Sequence, residues 1–315
     1  MKKNKIYKIL VLIIAVLLLT GCTQTLTDKN KKPVKNELTG QNLTKNILCQ
    51  PKDKTTIELY KKNKVNIEKL PKCENLKINS GKYEGLWTSI FVKTLAFIIV
   101  WFGKNIGNYA IAVIIVSLAI RLIAYPLTKK TAMQSELMKK AQPELTRIQN
   151  KYKDKQDQES MMKQSQEMMA VYKKYNISPL GGCLFAFIQL PLFIAFFEAV
   201  QRTPAIFEDT FLGLQLGTTP IVGIATSSWY SYLILILLIA GTTFYSFNMT
   251  MKDNPTAGSN NSMKNMPIIM SVMIVIMGLY MPSALGIYWI TTNLFTIVQN
   301  IIVKRSKEVN GKAKI

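Results

Sequence analysis

Ser117-Leu118-Ala119-Ile120-Arg121-Leu122-Ile123-Ala124-Tyr125-Pro126-Leu127-Thr128 is the stretch on which the fold turns. It closes an apolar run, Asn108–Leu127, of the length a helix needs to cross a bilayer, about 20 residues at ~1.5 Å each. Inside that run stands a full positive charge. Arg121 precedes Pro126 by about five residues, which places it ~8 Å from that end of the helix. On insertion scales an arginine at a helix centre costs about 2.5–3.5 kcal/mol. Two readings follow: the guanidinium snorkels to the nearby interface, or it faces a hydrated cavity that removes most of that cost. Ser117 lies one turn before it on the same face.

Outward from this run, further apolar segments fall at Cys183–Val200, Ser228–Phe247, Met266–Met281 and Leu285–Val303. Together with Asn108–Leu127 they predict an all-α membrane protein with five transmembrane helices. Leu86–Phe102 is also apolar, but Lys93 sits in its middle, and Gly103-Lys104-Asn105-Ile106-Gly107 follows at once. It reads as an external interfacial helix, with Ser89 and Lys93 on its polar side and Trp87 and Trp101 near its ends. Read as a sixth span, it would move the lysine-rich loop 128–181 to the outside. Five spans keep that loop cytoplasmic, and with it loop 248–265 and the tail carrying Lys304, Arg305, Lys307, Lys312 and Lys314. Loop 201–227 then lies outside with Arg202 as its only basic residue. This charge distribution predicts a bacterial plasma-membrane protein with its N-terminus outside and its C-terminus in the cytoplasm.

The composition agrees. The 315 residues are 49% hydrophobic, yet carry 40 Lys and Arg against 18 Asp and Glu, for a net charge of +22. These basic residues flank membrane-length runs instead of forming one patch, so anionic lipid is the expected counter-charge and DNA is not. The chain has no histidine, the commonest general base and metal ligand, and its cysteines form no CxxC pair. Neither an enzyme, a metal site nor a cofactor is expected.

Lys2, Lys3, Lys5 and Lys8 precede the short apolar run Ile9–Leu19 and then Leu19-Thr20-Gly21-Cys22. That arrangement describes an export signal over 1–21. It also looks like a lipobox, in which Cys22 would be acylated and become the new N-terminus; an uncleaved anchor helix is the alternative. Residues 22–85 form an extracytoplasmic, lipid-anchored segment, polar and lysine-rich, whose composition supports little core of its own. Cys49 and Cys73 lie within it, and the sequence allows equally a disulfide between them or two free thiols.

Within loop 128–181, Met133, Leu137, Ala141, Leu145 and Ile148 recur at helical spacing, as do Met161, Met162, Met168, Met169 and Tyr172. A charged tip, Lys151–Asp157, separates the two series and predicts an antiparallel helical hairpin. Pro143 should kink the first helix or mark where it restarts. The methionines either fill the seam or line an adaptable surface for apolar segments.

Several motifs, taken as an ordered set, resemble the YidC insertases. They are Gly107-Asn108-Tyr109, Arg121, Tyr125-Pro126-Leu127-Thr128, Gln142-Pro143, Ile177-Ser178-Pro179-Leu180-Gly181-Gly182-Cys183 and Ile188-Gln189-Leu190-Pro191. Near the C-terminus, Met281-Pro282-Ser283-Ala284-Leu285-Gly286-Ile287-Tyr288-Trp289 and Thr292-Asn293-Leu294 complete the set. The resemblance covers about residues 86–303, and the leader is similar to those of short, Gram-positive-type members. It implies an interfacial helix at 86–106, a five-helix core at 107–303 around a groove open to the cytoplasm, and the mobile hairpin; the basic tail at 304–315 is read from its own lysines and arginine. Arg121 matches the groove arginine, Ser117 a small polar groove position and Trp289 an aromatic position contacting substrates. Gln189 adds polarity in the second span. The third span lacks the glutamine that some members carry there, and Thr242 or Thr243 stands in its place.

The function so implied is insertion of nascent membrane proteins. The partners implied are those clients, anionic lipids, and the ribosome, the signal recognition particle receptor and the Sec translocon. A small-solute transporter or channel is the alternative, but it should show inverted repeats or interrupted helices. Five spans do not divide into equal halves.

Overall fold

The computed structural model describes residues 23–153, 155, 157–178, 181–251 and 266–312. The signal segment and Cys22, most of loop 248–265 and the extreme C-terminus lie outside the described residues. The chain divides into two compact units. The first draws on residues up to Ser117, Leu190–Leu237 and Met277–Trp289, and the second on Leu118–Gln189, Leu238–Ile276 and residues from Ile290 onward.

The architecture is mostly helical. Long helices are α2 (Lys93–Ile106), α3 (Tyr109–Lys151), α4 (Gln158–Lys174), α5 (Gly181–Arg202), α8 (Trp229–Met251), α9 (Met266–Leu279) and α10 (Ser283–Lys312). Short elements are α1 (Lys54–Lys62), α6 (Pro204–Phe207), α7 (Pro220–Gly223), and a two-stranded hairpin of β1 (Thr210–Phe211) with β2 (Leu214–Gln215). Among the described residues, four helical stretches are long and apolar enough to cross a membrane: Thr88–Ile106, Tyr109–Lys151, Trp229–Met249 and Ser283–Arg305. Thr88–Ile106 is the segment assigned from sequence to the interface, so length and composition alone do not separate the two roles. Helix α9 is shorter, at 14 residues.

In the first unit, residues 23–85 build a cap with its own core. This corrects the expectation that the segment supports little. Leu26, Val34, Leu43, Ile47, Tyr60 and Ile67 are buried together, with Ile57, Leu59, Val65 and Leu70 packed against them. Leu26, Val34 and Leu43 are laced by backbone bonds of 2.8–2.9 Å. Helix α1 starts where Asp53 accepts the Thr56 amide at 2.7 Å and ends on Lys61 and Lys62, charges suited to the two ends of a helix dipole. Cys49 and Cys73, both buried, are joined by a disulfide with the Cα atoms 4.8 Å apart.

The cap is fastened to the rest of its unit by backbone groups. The Leu48 amide donates to the Arg202 carbonyl at 2.7 Å, and the Thr219 amide donates to Thr39 at 2.8 Å. Glu208 accepts from the Lys52 and Asp53 amides at 2.8 and 3.1 Å, while burial holds its carboxyl above the usual range. Gly40 sits at this seam with φ +70°, and a Cβ there would meet the Thr219 hydroxyl and lie 2.6 Å from Val222 Cγ2. Gly40→Ala should therefore destabilise the unit by about 1–3 kcal/mol through strain and overpacking together. Thermal unfolding in detergent would show it as a lowered midpoint. An unchanged midpoint would mean the seam yields freely.

In the second unit, α3 continues past the apolar run and turns back as α4. The helix does not restart at Pro143 but runs on through both Pro126 and Pro143. Ala141, Leu145, Val171, Tyr172 and Ile177 form the seam, with Leu137, Met138, Ile148, Met168 and Tyr175 packed on it. Glu144 accepts from Lys174 at 2.6 Å and from Tyr175 at 2.8 Å, and Glu167 accepts from Lys151 at 2.6 Å and Tyr152 at 2.9 Å. Asp157 caps α4 through the Ser160 amide. The methionines divide: Met168 joins the seam, whereas Met133, Met161, Met162 and Met169 remain exposed.

Candidate functional site

Arg121 lies on α3 and is buried, at 5% exposure, although Leu122 and Ile123 beside it are 63% and 80% exposed. That contrast reverses the arrangement of a water-soluble helix, where the charge would face out. It recurs through the second unit. Thr128, Thr243, Ser246, Ser271, Thr291, Thr292 and Gln299 are buried, while Leu127, Phe244, Tyr245, Ile268, Val272, Leu294 and Val298 are exposed. A group of helices with polar side chains turned inward and large apolar ones outward suits a hydrocarbon solvent.

The guanidinium finds a neutral partner. Nη2 of Arg121 donates to Oε1 of Gln189 on α5 at 2.5 Å. Gln189 satisfies a donor of the guanidinium and brings no charge of its own.

Two further polar pairs stand in the same unit. The Thr128 hydroxyl meets Gln299 Oε1 at 3.1 Å, and Nδ2 of Asn293 donates to the Thr243 hydroxyl at 3.0 Å. Of the two threonines offered for the third span, Thr243 is the fully buried one. Thr242 is half-buried, and its hydroxyl donates to the Leu238 carbonyl of its own helix at 2.6 Å. Neither Thr128–Gln299 nor Asn293–Thr243 was singled out as a pair from sequence. Thr128 follows one apolar run and Gln299 lies inside another, and their spacing gives no signal of their approach.

The remaining candidates belong to the first unit. Ser117 is buried, and its hydroxyl donates to the Val113 carbonyl at 2.5 Å, the bond a helical serine makes when turned inward. Trp289 is half-buried, its ring edge-on to Phe193 at 5.5 Å, while Phe196 stacks on Tyr288 at 4.3 Å and Phe193 lies tilted to it at 6.3 Å. Trp87, placed at the interface from sequence, is buried instead and donates to Oε1 of Glu198 at 3.1 Å. Lys93 is also buried, its ammonium donating to the carbonyls of Ser80 and Lys82 at 2.7 and 2.9 Å. Gly107, at φ +80°, ends α2, and Asn108 opens α3 by accepting the Ile111 amide at 3.1 Å. The Tyr109 amide donates to Asp209 at 2.7 Å. The Gly107-Asn108-Tyr109 motif is thus a capped corner.

Comparison with known proteins matches the 60Kd inner membrane protein family over residues 101–311. A protein of Listeria innocua named membrane protein insertase YidC 2 is 36% identical over 238 residues, 73% of this chain and 78% of that one. One of Bacillus anthracis with the same name is 35% identical over 74% of this chain and 88% of its own length. Membrane protein insertase MisCA of Bacillus subtilis is 35% identical over 69% of this chain and 79% of its own. A crystal structure described as active YidC insertase with the first transmembrane domain resolved shares the fold, with TM-score 0.50 and 22% identity over 78% of this chain. This chain spans about half, 52%, of that longer one. A match over residues 101–311, with relatives at this identity and coverage, shows that the chain belongs to the 60Kd inner membrane protein family, that of the YidC insertases.

Proposed function

We propose that the protein is a membrane protein insertase that receives hydrophobic clients beside Arg121 and releases them laterally into the bilayer. The observation that carries this reading is the buried, hydrogen-bonded Arg121 within helices whose outward faces are apolar. The relatives' shared name supports it. A client's short polar or acidic segment is drawn to the field of Arg121, and its apolar segment then partitions into lipid, which supplies the driving energy. No nucleotide is needed for that step.

Five spans enclose a groove open to the cytoplasm and lipid, and Thr88–Ile106 lies along the outer interface. Buried Lys93, held by cap carbonyls, supports that placement. The N-terminus is outside, anchored through acylated Cys22, and the C-terminus is inside. The hairpin of α3 and α4 is cytoplasmic and offers Met133, Met161, Met162 and Met169 to apolar client segments, a use that the thioether's adaptability suits. Nascent membrane proteins are the clients. The ribosome, the signal recognition particle receptor and the Sec translocon are partners on either side of that step, and the basic tail meets anionic lipid or ribosomal RNA.

The test is insertion of a single-span client with an acidic external segment into proteoliposomes carrying wild type, Arg121→Ala or Arg121→Lys. At an effective dielectric of about 20, unit charges ~4 Å apart interact by ~4 kcal/mol, and losing a third of that is about tenfold. Protease-protected client should fall by about that factor with Arg121→Ala and recover in part with Arg121→Lys. Equal insertion by all three would reduce Arg121 to an interface anchor. No stimulation over empty liposomes would sink the insertase reading itself.

A further inference from the structure

The turn between β1 and β2 holds an apolar side chain in a backbone conformation that such residues avoid. Leu212 has φ +50° and Gly213 φ +81°, the pattern of a two-residue hairpin turn that usually carries Asn-Gly. Glycine at the second position is ordinary. Leucine at the first is strained, and its side chain gains nothing from the protein in return, being 77% exposed. Strain of this kind persists where the surrounding structure over-determines it, and it clusters at functional positions.

The turn is also held at a fixed place. The Ser231 hydroxyl donates to the Leu212 carbonyl at 2.8 Å, and the Gln215 amide donates to the Tyr232 hydroxyl at 3.0 Å. Both partners lie in the first turn of α8, one of the helices long and apolar enough to span. Trp229 and Tyr230 open that helix and are themselves 51% and 54% exposed. An exposed Trp-Tyr pair at the end of a span marks the level of the lipid headgroups. The hairpin therefore carries Leu212 at that same level.

We propose that Leu212 is a lipid anchor, a wedge held by the β1–β2 hairpin that enters the acyl region of the leaflet at the Trp229 end of α8. The occupant of this surface is bilayer lipid. The aromatic pair of the adjoining span argues for it, and the Leu212 side chain, 77% exposed on a strained turn, finds little apolar cover among the described residues. The inference rests on α8 spanning the membrane and not on insertase activity, so the two fail separately.

The test places an environment-sensitive NBD label at position 212 through Leu212→Cys in a Cys183→Ala background, with the unsubstituted background as labelling blank. Labels at Tyr230→Cys and at Lys62→Cys, an exposed cap position, serve as references. In liposomes containing lipids with a shallow doxyl group, the label at 212 should be quenched about as strongly as that at 230. Its quenching by aqueous iodide should be several-fold weaker than at 62. Iodide quenching equal to position 62 with no lipid quenching would overturn the anchor and leave Leu212 in water or on a soluble partner. Leu212→Asn relieves the backbone without the apolar group, so its unfolding midpoint in detergent should hold or rise. A clear fall would mean that Leu212 serves the fold and not the membrane.

Discussion

Arg202→Ala should destabilise the first unit by about 3–5 kcal/mol, the range found when one partner of a buried ion pair is removed. Arg202 is fully buried, with 0% exposure. Its Nη2 contacts Oε2 of Glu84 at 2.6 Å, its Nε donates to the Asn46 carbonyl at 2.8 Å, and its Nη1 stands 3.8 Å from Glu198. Removing the side chain strands Glu198, itself 4% exposed, and empties the space on which the cap rests. Thermal unfolding in detergent would show a large loss, accompanied by faster proteolysis of residues 23–85. Arg202→Met with Glu198→Gln and Glu84→Gln should restore much of it, because the stranded charges are gone and the volume is refilled. If the single variant unfolds like wild type, Arg202 is not the keystone of the cap.

Loss of the bond between Cys49 and Cys73 should cost about 3 kcal/mol in cap stability. The sequence separation is 24, and the closed loop holds α1 with Tyr60 and Ile67, much of the small core. A cap of this size buries little apolar surface per residue, so the cross-link matters more than it would in a large domain. Thiol titration of unreduced, denatured protein should label neither Cys49 nor Cys73, and Cys49→Ala with Cys73→Ala should lower the midpoint of cap unfolding. Full labelling of both thiols would remove the bond and the prediction with it.

The helical core was readable because its signals are long. Apolar runs of membrane length, basic flanks and the Leu-rich spacing of 137–148 each persist over many residues, so local exceptions do not obscure them. Arg121 was readable because a charge within such a run has few innocent explanations. Its partner was not: Gln189 lies 68 residues away, and a glutamine in a span is equally at home in any helix contact. Thr242 and Thr243 stayed open as alternatives because adjacent residues point about 100° apart on a helix and nothing in Gly241-Thr242-Thr243 sets the register.

The cap was misread for a different reason. Leu26, Val34 and Leu43 stand singly among polar residues, and Ile47 opens a run of only three apolar ones, without period 2 or 3.6, so composition suggested a chain with nothing to bury. Such a core is assembled by turns and by partners from elsewhere in the chain. Glu198 and Arg202, one turn apart at the end of a span, were the available hint: two charges at i and i+4 facing one way need something to cover them.

The cap's fastening has a consequence for how the protein is made. Asn46 and Arg202 are 156 residues apart, and Thr39 and Thr219 are 180 apart. At about 5–20 residues per second, roughly 8–36 s pass between synthesis of the first partner and the second. During that interval residues 23–85 have emerged without the surface on which they rest, and only after Pro204–Thr219 has reached the same side can the seam close. The cap, made early in synthesis, is therefore among the last parts of the protein to mature.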